Sequence, residues 1–182
     1  RFVLVPTKPL YLLALWWTLG VFAVGQEAPI PKVADTKISV ESGFFDEAFS
    51  VSITTATDEA TIYYTTDGRV PSKGSIFSGP IGEVYAGPIM IEGTTVLRTA
   101  AYLSGSEPTN VDTRSYLFLD QVIRQPKAIE GWPRPNLSVG QGIERHDYEM
   151  DPRIVGEDPE AMKASLLGLP TLSLVVDPAE MW

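Results

Sequence analysis

The sequence predicts a mainly β fold, an antiparallel β-sandwich over residues 36–119. Short segments rich in β-branched and aromatic residues follow one another there, separated by turns of Gly, Pro, Asp or Ser. None of these segments has the 3.6-residue period of an amphipathic helix. A stretch of about 85 residues is long enough to bury one such core.

Six strands are predicted in order at residues 37–40, 49–54, 62–66, 88–91, 95–103 and 111–119. In the second, Phe49, Val51 and Ile53 alternate with small polar residues, which predicts one buried face. Residues 72–87 hold Pro80 and several glycines, so we expect a loop with a short edge strand.

Residues 1–25 are predicted to be a signal peptide, followed by a linker over 26–35. Arg1 and Lys8 precede an apolar run at 10–24, which ends in small residues that suit cleavage after Gly25. An uncleaved membrane anchor is the alternative, although this run is short for a span. We therefore expect an exported protein, secreted or at the cell surface, that touches a membrane only through an uncleaved N-terminal segment.

Residues 120–182 are predicted to form a linker and an irregular extension with one short helix and one strand. Asp158 is the expected N-cap of the helix, Pro159 its first residue, and Gly168 with Pro170 its end. The continuous apolar run at 171–176 predicts a strand buried on both faces.

Charge and composition exclude several classes of function. The net charge is -9 and the acidic residues are spread along the chain, so the surface repels phosphate backbones and nucleic-acid binding is not expected. The chain has no cysteine, which removes disulfides, thiolate zinc sites and cysteine nucleophiles. A cysteine-free exported domain relies on core burial alone, which suits a bacterial module.

The segment 62–72 carries the most specific motif, Ile-Tyr-Tyr-Thr-Thr-Asp-Gly followed by Pro71 and Ser72. It resembles the central motif of the β-sandwich at the C-terminus of chitobiases and β-hexosaminidases, also seen beside family-29 α-L-fucosidases. The flanks agree with this resemblance at Gly43-Phe44-Phe45, Gly87-Pro88-Ile89 and Thr94-Thr95-Val96-Leu97. The resemblance implies an immunoglobulin/fibronectin-III-like sandwich.

A second resemblance covers the C-terminal third. Residues 147–152 and 169–174, with Asp177, are similar to the segment that precedes the kinase-like domain of spore-coat protein H (CotH) type proteins. This resemblance implies that residues 120–182 end in the truncated start of a CotH-like domain, whose catalytic part would lie beyond Trp182.

Tyr63, Asp67 and Arg69 are the candidate carbohydrate contacts, since a ring can stack on a sugar and charges can bond its hydroxyls. The alternative is structural: Asp67 bonds its own turn backbone and Tyr64 fills the core, and the turn chemistry favours it. Alternation along the strand places Ile62 with Tyr64 and turns Tyr63 to the other face.

Asp147, Glu149 and Asp151 alternate and form a candidate calcium site, because an extended chain would point all three to one side. The favoured alternative is a solvated acidic loop in which Asp151 caps the turn at Pro152. No other cofactor is expected.

A catalytic constellation is missing from the sequence. The one histidine, His146, has no credible partner, and no serine lies in a Gly-x-Ser-x-Gly elbow. We therefore expect a non-catalytic spacer or interaction module whose partners are neighbouring domains and, weakly, glycans. The alternative is the N-terminal part of a secreted CotH-type kinase-like or glycan-processing enzyme.

Overall fold

The structure is a computed structural model that describes residues 28–129, 138–139, 142–143 and 148–177. Within these ranges the strands are β1 (Lys37–Ile38), β2 (Gly43–Phe44), β3 (Phe49–Val51), β4 (Ile53–Thr54), β5 (Thr61–Thr65), β6 (Glu83–Val84), β7 (Ile89–Ile91), β8 (Thr95–Tyr102), β9 (Asp112–Leu117), β10 (Ser138–Val139) and β11 (Gly142–Ile143). The helices are α1 (Leu119–Val122), α2 (Pro152–Glu157) and α3 (Pro159–Leu167).

One layer is a five-stranded sheet in the order β2-β9-β8-β5-β6. β8 and β5 are antiparallel, with Tyr63 opposite Ala100, and β9 pairs with the other side of β8. The edge strand β2 pairs with β9 in parallel, Gly43 lying opposite Tyr116. The prediction of a mainly β fold is confirmed. Among the described strand pairs, β2 with β9 is the one departure from the predicted antiparallel arrangement.

The opposite layer is built on the segment that contains β3 and β4, which are separated by Ser52 alone. β1 pairs with β4 and β7 pairs with β3, both antiparallel. The predicted alternation is confirmed, since Val51 and Ile53 are buried and Phe49 packs against them. This layer supplies the apolar face that covers the five-stranded sheet.

The core lies between the two layers and is centred on Tyr116, which is fully buried. The rings of Phe45 and Phe49 meet Tyr116 edge-on, with centroids 5.6 and 5.1 Å away. The Tyr116 hydroxyl donates a 2.9 Å hydrogen bond to the Val40 carbonyl oxygen. Burial of the phenol raises the pKa of Tyr116 to about 12.

The predicted helix at 158–168 is confirmed as α3. The Asp158 carboxylate accepts the N–H of Ala161 at 2.9 Å, and the helix ends before Gly168. Two further short helices, α1 and α2, were not predicted. Lys163 on α3 reaches Asp120 on α1 at 3.2 Å. α1 is in turn bonded to the sandwich, since Gln121 Oε1 accepts the Thr94 N–H at 2.7 Å.

The predicted strand at 171–176 is wrong. Residues 171–177, here called the strap, have no regular secondary structure and belong to no sheet. Ser173 bonds Ser115, on the face of β9 away from the core, and Asp177 bonds the Val70 backbone beyond β5. The strap therefore crosses the face of the sheet rather than joining its edge.

The strap also differs from the prediction in burial. Leu172 and Leu174 are 80% and 81% exposed, while Val175 is partly covered. A continuous apolar run can mark a buried strand or a segment on a surface, and only tertiary contacts distinguish the two.

In the described part of the chain, no helix has the length and apolarity needed to cross a bilayer. The apolar run at 10–24, with the predicted signal peptide, lies outside the described residues, so the predicted limit at residue 25 stays a prediction. The limit at residue 35 lies inside them and also stays a prediction, while Val33 of the predicted linker packs in the core of the sandwich.

Candidate functional site

The turn after β5 holds two of the predicted sugar-binding residues together. Asp67 Oδ2 lies 2.7 Å from Arg69 Nε, and Asp67 Oδ1 accepts the Arg69 backbone N–H at 3.1 Å. Gly68 between them has a φ of +85°, in the left-handed region that favours glycine. This is the turn chemistry that the structural interpretation predicts, although both charged groups remain half exposed and within reach of a ligand.

A polar depression of about 370 Å³ opens beside this turn. Asp67 and Arg69 line it together with Tyr64 and Glu83, and Tyr63 does not. The Tyr64 hydroxyl donates a 2.7 Å hydrogen bond to Glu83 Oε2. The pKa of Tyr64 is raised to about 12, mainly because the phenol is partly buried and to a smaller extent because of this contact with Glu83.

Sequence reasoning missed the roles of Tyr64 and Glu83 at this depression. The two residues lie opposite each other in the β5–β6 pair, 19 positions apart in the chain. A short edge strand inside a glycine-rich loop gives too weak a pattern for its register to be read from the sequence.

Tyr63 lies on the outer face of β5, away from the core, as alternation predicts. Its ring meets Tyr102 edge-on at a centroid distance of 5.6 Å. Lys73 Nζ lies 5.9 Å from the centre of the Tyr102 ring. Tyr63 is half-buried beside this neighbour, and its role as a sugar contact stays a prediction.

The predicted calcium ligands are only partly described. Asp147 lies outside the described residues and Glu149 is exposed. Asp151 Oδ2 is bonded to Arg153 Nη2 at 2.6 Å, and Oδ1 accepts the Arg153 N–H as the N-cap of α2. Both contacts lower the pKa of Asp151. The described residues contain no group of three or more His, Asp or Glu side chains arranged for a metal ion.

The strap makes a second polar site on the outer face of the sheet. Ser173 Oγ lies 2.7 Å from Ser115 Oγ on β9, and Asp177 Oδ2 accepts the Val70 N–H at 3.0 Å. Ala100 and Ser115 are buried although they point away from the core, as expected for a covered face. Sequence reasoning missed these contacts, which join residues 58 and 107 positions apart.

Comparison with known proteins places the sandwich in a family. Residues 40–113 match the family described as chitobiase/beta-hexosaminidase C-terminal domain. Neither a curated protein nor a solved structure matches the chain. The match leaves out the C-terminal third, so the CotH resemblance stays a prediction. The matched family indicates an accessory, non-catalytic module of glycoside hydrolase-like proteins. The β-sandwich of this chain is a chitobiase/β-hexosaminidase C-terminal-like module.

Proposed function

We propose that this chain is a non-catalytic module of an exported bacterial multidomain protein, and that it spaces and orients the part of the polypeptide next to it. The observation that carries the proposal is the strap. Its contacts at Ser115 and Val70 hold the C-terminal segment against the sheet at two separate points. A flexible linker would have no such contacts.

Three further contacts support a fixed extension. Lys163 of α3 bonds Asp120 of α1 at 3.2 Å, and its side chain is largely buried. The backbone N–H of Tyr148 donates to the Lys127 carbonyl oxygen at 3.3 Å. Val155 of α2 is buried as well. Because α1 is itself bonded to the sandwich, these contacts orient the rest of the extension relative to it.

Double electron–electron resonance, which measures the distance between two spin labels on the chain, tests this proposal. The chain has no cysteine, so Ser104→Cys on the sandwich and Ala164→Cys on α3 give two unique, exposed labelling sites. We expect one narrow distance distribution, and we expect Ser173→Ala with Asp177→Ala to broaden it because both strap contacts are lost.

The matched control is Ser50→Ala with Asp58→Ala, the same changes at exposed positions away from the strap. This control should keep the narrow distribution. A broad distribution in the labelled chain with its strap intact would show a flexible linker and contradict the orienting role.

A second candidate function, weak carbohydrate contact, is favoured by the polar depression beside Asp67 and Arg69. Carboxylate, guanidinium and phenol groups converge there, and sugars are bound by such groups. Loss of glycan-array binding in Arg69→Ala and in Glu83→Ala, two residues that line the depression, supports it, provided that Lys37→Ala on the opposite layer leaves binding unchanged. Unchanged binding in both variants, or no binding by the chain itself, contradicts it.

The alternative is that this chain is the N-terminal part of a secreted enzyme. It gives these residues the same orienting role and makes the neighbouring domain a CotH-type kinase-like or glycan-processing domain. Export is part of both versions. A fusion of residues 1–27 to a reporter enzyme should direct the reporter out of a bacterial cell, and retention of the reporter in the cytoplasm would refute export.

A further inference from the structure

The loop at residues 72–82, here called the projecting loop, displays two large apolar side chains at its tip. Ile76 is 91% exposed and Phe77 is 92% exposed. Single exposed apolar residues are common on protein surfaces, but two adjacent ones at the tip of a loop form a candidate contact site.

Hydrogen bonds hold this loop in shape. Ser72 and Ile81 exchange backbone bonds of 3.0 and 2.9 Å across its base. At the tip, Ser75 Oγ accepts the N–H groups of Phe77 and Ser78 at 3.1 and 3.2 Å. Gly74 has a φ of +77°, and a Cβ there would lie 2.5 Å from the Ser78 carbonyl oxygen. An ordered loop loses little conformational entropy when it binds, so its two apolar side chains are preorganised for contact.

The charge around the loop is opposite to that of the rest of the chain. The projecting loop contains one charged residue, Lys73, and no acidic residue, in a chain of net charge -9. Arg69 is paired with Asp67. Lys73 has no ion pair among the described residues. The loop therefore suits an apolar groove with acidic residues at its rim.

Such a groove lies on the same chain. A shallow depression of about 540 Å³ is lined by apolar and acidic residues of the segment between β1 and β3: Val40, Phe44, Phe45, Asp46, Glu47, Ala48 and Phe49. Asp46 and Glu47 are exposed and have no ion pair in the described ranges. The groove thus offers aromatic surface and two carboxylates.

The two surfaces cannot meet within one chain. The groove adjoins β2, at one edge of the five-stranded sheet, while the projecting loop joins β5 to β6 at the other edge. Since neighbouring strands lie about 4.8 Å apart, the edges are separated by roughly 19 Å. We propose that the projecting loop of one copy of this chain docks into the Val40–Phe49 groove of a second copy, head to tail.

The interface would be small. One aromatic and one aliphatic side chain bury a few hundred Å², well below the roughly 1,200 Å² of a stable complex. The association is therefore weak and salt-sensitive, because Lys73 faces Asp46 and Glu47. It is also open-ended, because each copy that donates its loop keeps its own groove free for another copy. This proposal does not depend on the proposed orienting function.

Sedimentation velocity of the full chain, from about 10 μM to 1 mM, tests the interface. We expect the mean mass to rise with concentration. Ile76→Ser with Phe77→Ser should weaken association at least about tenfold, because the two apolar side chains that become buried in the interface are lost. The control, Met90→Ser with Leu172→Ser, changes two other exposed apolar residues and should leave the association as it was.

A charge exchange provides the second arm. Lys73→Glu alone and Glu47→Lys alone should each weaken association, and the two together in one chain should recover it. A monomer at every concentration overturns the proposal, and so does association that the loop variants leave unchanged. Loop-dependent binding to vesicles containing anionic lipid, with no self-association, also overturns it by assigning the loop to a lipid surface.

Discussion

The substitution Tyr116→Phe tests whether the core is held by a buried phenol as the structure shows. The change keeps the ring and its edge-on contacts with Phe45 and Phe49. It removes the 2.9 Å hydrogen bond to the Val40 carbonyl oxygen. A bond of this kind contributes about 1 kcal/mol, so the variant should be less stable than the parent by about that amount at pH 8.

The sign of this difference should reverse at alkaline pH. In the folded chain burial raises the pKa of Tyr116 to about 12, whereas a tyrosine in the unfolded chain titrates near its ordinary value of 10.0. Below that value both states keep the proton and the full stability is present. Between the two values the unfolded state releases its proton while the folded state retains it, so stability falls as pH rises. The loss reaches about 1.4 kcal/mol one pH unit above the unfolded value.

Phenylalanine has no proton to lose, so the stabilities of parent and variant should cross between about pH 10 and pH 11. Urea unfolding followed by circular dichroism at several pH values between 8 and 11 measures the free energy of unfolding of both proteins. Tyr63→Phe, on the outer face, is the matched control and should cost little at pH 8. A difference between parent and Tyr116→Phe that stays constant across this pH range would refute the assignment of a buried, proton-retaining Tyr116.

Three further predictions concern the core, a tight turn and a helix cap. Leu97→Ala, at a fully buried site, should cost about 2–5 kcal/mol in urea unfolding. Gly82→Ala should destabilise the protein far more than Gly68→Ala, although both glycines have positive φ. A Cβ at Gly82 would lie 2.2 Å from the Tyr64 carbonyl oxygen, whereas a Cβ at Gly68 would meet nothing within 4 Å. Equal costs would contradict the turn geometry. Asp158→Ala should cost about 1 kcal/mol locally, seen as faster hydrogen exchange at the Ala161 N–H, and an unchanged rate would argue against the cap.

Much of the fold could be predicted from local patterns. The alternation at Phe49, Val51 and Ile53 was enough to identify one buried face, since a strand repeats every two residues. The pair Asp158 and Pro159 identified the start of α3, because capping depends on residues within one turn. The motif at 62–72 was specific enough to predict the family that the match at residues 40–113 confirms.

The candidate site was predicted less completely. Asp67 and Arg69 are neighbours in the sequence, and their turn brings them together as local chemistry implies. Tyr64 and Glu83 were not recognised as parts of the same depression, because their contact depends on the register of β6. Tyr63 was correctly placed on the outer face, while its partner Tyr102 comes from β8.

The sequence by itself determined the class of fold, the buried face of the strand at residues 49–54 and the chemistry of the turns, since all of these follow from residues close together in the chain. The tertiary structure decided the parallel pairing of β2 with β9 and the course of the strap. Local pattern at 171–176 favoured a buried strand, yet Ser173 and Asp177 hold that segment on the sheet through partners 58 and 107 residues away. Contacts between residues so far apart in the sequence depend on how the whole chain packs, and a local sequence pattern does not reveal them.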